Sequence, residues 1–238
     1  MTLSEKISRN PERILAFFES FRNSLVRIGI VVLAFSICGY YVSEPILKYV
    51  QRITGVKLVA FGIPESFFAL LLLALGVGIF VSIPYFLYAV LAGLPPLFPS
   101  FTRKMMIGFW LSSIVLFYIG ALFCLTISLP YGAQFLLSYE NAHIEALISV
   151  KKFVSFCLLF IFGFGIIFEL PLAMVLLGKI GIVNVQTLAA HRRYAILAVA
   201  IIAALLTPTP DVFNMSLMGI PLYLLFEIGL IGMRLGKK

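Results

Sequence analysis

Phe162-Gly163-Phe164-Gly165-Ile166-Ile167-Phe168-Glu169-Leu170-Pro171 lies within an apolar run over residues 153–177, and its reading decides the fold. The run is long enough to cross a bilayer as a helix, which takes about 20 residues. One ionisable group, Glu169, falls past its middle, two residues before Pro171. A carboxylate at that depth costs about 2.5–3.5 kcal/mol on insertion scales, so its presence asks for a function. Pro171 has no amide to donate. The carbonyl of Ile167 therefore loses its helix partner, and a kink is expected there.

Composition places the whole chain in the same solvent. Its 238 residues are 62% hydrophobic and 12% charged, with a mean hydropathy of +1.10. Soluble domains are closer to half apolar and a quarter charged, which leaves a bilayer as the natural medium. The net charge of +8 invites a nucleic-acid reading. The basic residues, however, sit between apolar runs rather than on one face, so no nucleic-acid partner is expected. Residues 1–24 carry charges of both signs without an apolar core, so no secretory signal peptide is expected. Cys38, Cys124 and Cys157 each fall inside an apolar run without metal-ligand spacing and read as buried thiols.

Outward from the central run, the pattern repeats. Asn10-Pro11-Glu12 has the chemistry of a helix start: a capping side chain, a proline in the first turn, then an acid. Ile14, Phe17, Phe18, Phe21 and Leu25 then recur at helical spacing, which predicts an amphipathic start over residues 1–24 at the membrane interface. Spans are predicted over residues 25–42, 67–92, 105–129, 153–177, 194–206 and 213–232. Ser43-Glu44-Pro45 opens a mixed segment to Glu65, and residues 131–152 form a second polar connection. The fifth run holds only about 13 residues, or about 20 Å of helix. Thr207-Pro208-Thr209-Pro210-Asp211 separates it from the sixth, so the last two helices read as a short pair. The expected fold is all-α and polytopic, a single integral membrane domain of six crossings over residues 1–238.

Lysine and arginine set the expected orientation. The N-terminal side holds Lys6, Arg9, Arg13, Arg22, Arg27, Arg103, Lys104, Lys179, Arg192, Arg193, Arg234, Lys237 and Lys238. The far side holds Lys48, Arg52, Lys57, Lys151 and Lys152. The positive-inside rule then puts both termini in the cytoplasm.

Catalytic constellations are thin. His143 and His191 are both in loops, and neither a phosphate loop nor a metal-ligand cluster is present in the sequence. No cofactor or metal is expected, nor an enzymatic activity. A membrane aspartyl protease would want two aspartates, and the intramembrane acids here are Glu169 and Glu227. Glu169 reads as a proton relay, an acceptor for a partner helix, or a structural residue paired with a neighbouring Tyr, Ser or Thr. Glu227 reads as a structural acid satisfied inside the bundle or near the cytoplasmic interface, and Asp211 as an acid at a helix N-terminus.

The stretch from Phe162 to Pro171 resembles the phenylalanine-glycine to phenylalanine-glutamate-x-proline segment of the TatC family, the multispanning subunit of the twin-arginine protein translocase. Leu116-Phe117-Tyr118-Ile119-Gly120, Leu206-Thr207-Pro208-Thr209-Pro210-Asp211-Val212, Ile220-Pro221 and Leu225-Phe226-Glu227-Ile228 are similar to further family segments, as are Pro45 and the pair Glu65 and Phe67. The resemblance runs in order from about Leu25 to Arg234. It implies six helices curled into a concave, glove-like shape with Glu169 facing the hollow. It implies a receptor for signal peptides bearing paired arginines, working within a homo-oligomeric complex in the lipid of a bacterial or archaeal-type cytoplasmic membrane. Partners would be small single-span subunits of the TatA and TatB kind, and energy would come from the proton-motive force.

By that resemblance Glu19, Arg22, Thr102 and Arg103 would serve signal-peptide binding. Glu169 and Pro171 would contact partner or signal helix, and Pro45, Glu65 and Asp211 would act on the periplasmic side. The chain departs from the family at two acids. Ser20 stands where a glutamate belongs, with Glu19 one position earlier, and Thr102 replaces the glutamate ahead of Arg103-Lys104. The aromatic expected before the linker prolines falls on Gly93. Paired arginines are best accepted by carboxylates, so the recognition end is where this chain differs most. A small proton-coupled transporter or channel titrating on Glu169, and an oligomeric membrane scaffold, are the alternative readings.

Overall fold

The computed structural model describes residues 11–93, 102–137, 147–206 and 212–235. Helix α1, Pro11–Thr54, starts at the proline expected to open it. It does not break after residue 42: Ser43, Glu44 and Pro45 lie inside it. Proline removes only one backbone donor, and around it Ser43 Oγ donates to the Gly39 carbonyl at 2.7 Å while Lys48 Nζ donates to Glu44 Oε1 at 2.6 Å. Gly55, at φ 72°, then turns the chain out of the helix, a conformation open to glycine. Val26, Ile30, Leu33 and Ile37 form an exposed stripe at helical spacing on α1, the face for lipid.

Helix α2 is Glu65–Ala92 and α3 is Arg103–Phe123. The third crossing does not end at Pro130. It passes through a π-helical turn, Cys124–Ser128, into α4, Leu129–Leu137. A π turn accommodates a proline that cannot supply the regular ladder bond. Helix α5, Val150–Phe168, and α6, Leu170–Lys179, make the fourth crossing. Short α7, Val185–Ala190, precedes α8, Arg192–Leu206, and α9, Val212–Leu235, ends the fold.

Ser24–Thr54, Glu65–Ala92, Arg103–Gln134, Val150–Lys179 and Met218–Leu235 are long and apolar enough to cross a membrane by length and composition alone. Helix α8, at 15 residues, is below that length. Together with the 24 residues of α9 it makes the shortest pair of the six crossings.

Two short strands, β1 (Leu58–Val59) and β2 (Ile148–Ser149), pair in parallel with Leu58 opposite Ile148 and Val59 opposite Ser149. They tie the two far-side connections into one cap. The main core packs Val50 of α1, Leu129 and Ala133 of α4, Phe153, Cys157, Phe160 and Phe164 of α5, Ala203 of α8 and Leu222 of α9. Cys124 and Cys157 are buried as expected, whereas Cys38 lies exposed on α1. Its run was apolar, but its face of the helix points away from the other helices.

Proline and glycine shape the packing between helices. Pro84 in α2 leaves the Phe80 carbonyl without a ladder donor, and Tyr118 Oη of α3 donates to it at 3.1 Å. Trp110 Nε1 donates to the Pro84 carbonyl itself at 2.7 Å. Between α3 and α5 the backbones nearly touch. A Cβ on Gly120 would stand 2.7 Å from the Phe164 carbonyl oxygen.

An intramembrane carboxylate and its surroundings

Glu169 sits at the joint of the fourth crossing, where α5 ends and α6 begins. Its amide donates to the Ile166 carbonyl at 3.1 Å, a tightened turn, and its carbonyl accepts from Ala173 at 2.9 Å. Pro171 follows in the first turn of α6, where a missing donor costs least. The expected kink is thus a break between two helices, with Pro171 buried.

The side chain of Glu169 reaches toward α3. Ser113 Oγ donates to Glu169 Oε2 at 2.6 Å. Oε1 is buried and has no hydrogen-bond partner among the described residues. Ser113 lies about 15 Å along α3 from Arg103, and Lys179 closes α6 about 15 Å beyond Glu169. Both measures put the carboxyl near the middle of a hydrocarbon core about 30 Å thick. Close by, Phe80, Phe117, Tyr118 and Phe162 pack as an aromatic cluster with ring centroids 5.0–6.4 Å apart.

The other expected residues fall in separate places. Glu65 begins α2 and accepts from the Ser149 hydroxyl and, at 2.6 Å, from the Phe61 amide. It thereby fastens the two strands of the cap. Pro45 lies on α1, one residue before Ile46, which packs against the core below that cap. Thr102 caps α3 by accepting from the Met105 amide at 3.4 Å, with Arg103 exposed beside it. Glu19 and Arg22 lie on the backbone of α1, with side chains outside the described residues, and Asp211 lies outside them altogether. No described contact joins Thr102 or Arg103 to Glu169, so the start of α3 and the intramembrane acid are distinct places.

Several partners were not legible in advance. Ser113 is one of many small polar residues in the spans, and only the fold selects it. Glu227 is satisfied within the bundle, as expected. Its partners are Arg192 Nη2 and Tyr223 Oη, both donating at 2.9 Å, which joins the start of α8 to α9. Among the described residues no cluster of His, Cys, Asp or Glu could hold a metal ion.

The fold and this site define an all-α, six-crossing membrane protein with one acid held at mid-depth beside a helix break. The model of the family described as Sec-independent protein translocase protein (TatC) matches residues 16–221, and the chain belongs to that family. The Sec-independent protein translocase protein TatC of Desulforapulum autotrophicum is 36% identical over 77% of this chain and 68% of its own length. That of Haemophilus influenzae is 33% identical over 92% of this chain and 87% of its own. A crystal structure of the twin arginine translocase receptor TatC matches with a TM-score of 0.80 at 30% identity, over 93% of this chain and 100% of that one. The family's concave arrangement of six helices is therefore the fold of this chain. The protein is a multi-pass membrane subunit of a protein translocase, and the reading as a small transporter gives way.

Proposed function

We propose that this chain is the receptor and core of a twin-arginine-type translocase, without catalytic chemistry of its own. It receives signal peptides on the side that carries its termini and assembles with small single-span subunits in a bacterial or archaeal-type cytoplasmic membrane. Cargo crosses folded, driven by the proton-motive force. The placement of Glu169 carries this reading. One carboxyl oxygen is committed to Ser113, the other has no hydrogen-bond partner among the described residues, and the residue as a whole is partly exposed, which leaves the acid within reach of a helix arriving within the bilayer. In this reading Glu19, Arg22, Thr102 and Arg103 serve signal-peptide binding, and Pro45, Glu65 and Asp211 act on the periplasmic side. The excess of Lys and Arg on the side of Arg103, Lys104, Lys179 and Arg234 supports cytoplasmic termini.

The test is a binding comparison on the full chain in membranes. A signal peptide with Arg-Arg is expected to bind at least about tenfold more tightly than its Lys-Lys counterpart, because a guanidinium donates two parallel hydrogen bonds to one acceptor group and an ammonium does not. Equal binding of the two, or none, rejects the twin-arginine assignment and leaves the fold intact.

A further inference from the structure

Hydroxyls inside apolar helices have a default acceptor, the carbonyl four residues back on their own helix. Ser36, Ser43, Thr54, Ser82 and Thr126 all take it, at 2.7–2.8 Å. Ser113 does not. Its hydroxyl crosses to another helix and donates to Glu169 at 2.6 Å. The serine is buried, and the seam it spans is drawn tight one step further along α3, where Gly120 meets the backbone of α5. A short side chain reaches the carboxyl there because the two helices lie so close.

We propose that Ser113 is the positioning residue of the Glu169 contact: by holding one carboxyl oxygen it sets the pose in which the partly exposed acid meets an incoming transmembrane helix. The proposal rests on the reading of Glu169 as a contact point and adds the group that aims it. A carboxyl group offers two oxygens and several directions. Ser113 holds Oε2, Oε1 turns into the protein, and the joint at Glu169 fixes the backbone, so the carboxyl is left with one orientation toward the helix it meets. Ser113 itself touches no partner in this scheme. It acts through the acid.

The experiment uses the full chain co-expressed with a small single-span subunit, carrying a photoreactive residue at Ile166, which is exposed one turn before Glu169. Ser113→Ala is expected to lower the cross-link yield about three- to tenfold, the range of an interhelical hydrogen bond in a membrane. Ser113→Cys, similar in size and a weaker donor, should fall between serine and alanine. In a Glu169→Gln background Ser113→Ala should cause no further loss. Membrane abundance, read on the same samples, should stay level, and any fall in thermal midpoint should match that of Tyr118→Phe, which removes a comparable interhelical bond away from the acid and should leave the cross-link unchanged. A Ser113→Ala yield equal to wild type overturns the proposal, and so does an additive loss in the double variant. Should Glu169→Gln alone leave cross-linking unchanged, the contact reading itself fails, and the aiming role with it.

Discussion

Single side chains in this protein act mainly by answering backbone or carboxyl groups that the bilayer cannot solvate. Tyr118 is the clearest case. Pro84 frees the Phe80 carbonyl, lipid offers no donor, and the Tyr118 hydroxyl supplies one at 3.1 Å. Tyr118→Phe keeps the ring in its cluster and removes only that donor. It should cost about 0.6–2 kcal/mol, the span of interhelical hydrogen bonds in membranes, as a lowered thermal midpoint in detergent. A midpoint equal to wild type would show that the Phe80 carbonyl finds another donor. Such pairings were only half legible beforehand. The proline and the tyrosine both stood out in the sequence, but their separation along the chain hides that they meet. Ser113 shows the same limit: that Glu169 needs a hydrogen-bonding neighbour follows from its burial, whereas which of the hydroxyls provides it depends on the register of two helices.

At the level of elements, hydropathy located the long apolar helices but not how far each helix runs. Ser43-Glu44-Pro45 looked like an exit from the membrane, yet α1 runs on to Thr54 because one missing donor does not stop a helix whose other bonds are intact. Pro130 likewise yields a π turn rather than an end. The break at Glu169 was foreseeable, since there an acid and a proline act together. What no hydropathy profile contains is the depth of the seam between α3 and α5. Gly120→Ala places a methyl 2.7 Å from the Phe164 carbonyl oxygen, and backbone cannot rotate away. The overpacking penalty of about 1–3 kcal/mol should exceed the gain in helix propensity. Gly108, on the same helix, has nothing within 4 Å of its would-be Cβ. Gly108→Ala should therefore be neutral or stabilise by up to about 1 kcal/mol. Thermal midpoints of the two variants, measured side by side, separate seam packing from propensity; equal shifts would deny the seam its role.

Considered whole, the molecule is a bundle of unequal pillars. Four crossings are long, and the cap joined by Leu58–Val59, Ile148–Ser149 and Glu65 braces them on the far side. Helix α8 spans 15 residues, or about 22 Å, against a hydrocarbon core of about 30 Å. The mismatch of about 8 Å must be met by thinning of the lipid or by flanking polar groups that reach outward to the headgroups, at fractions of a kcal/mol per Å, since tilt would only deepen it. Arg192 begins this helix and is paired with Glu227 of α9, which anchors its lower end and limits how far α8 can slide or tilt. Thinning is then the cheaper response, on the same part of the molecule where α8 and α9 leave an apolar groove of about 430 Å³ lined by Val199, Met215, Gly219 and Tyr223. The protein should accordingly be more resistant to heat in bilayers with a core near 24 Å than in those near 32 Å. The difference should shrink in Glu227→Gln, because an Arg192 released from its partner can snorkel to the headgroups of the thicker bilayer. Reconstitution into lipids of graded acyl length, with unfolding followed by intrinsic Trp110 fluorescence, measures both effects. Stability that rises steadily with thickness would overturn the thinning account.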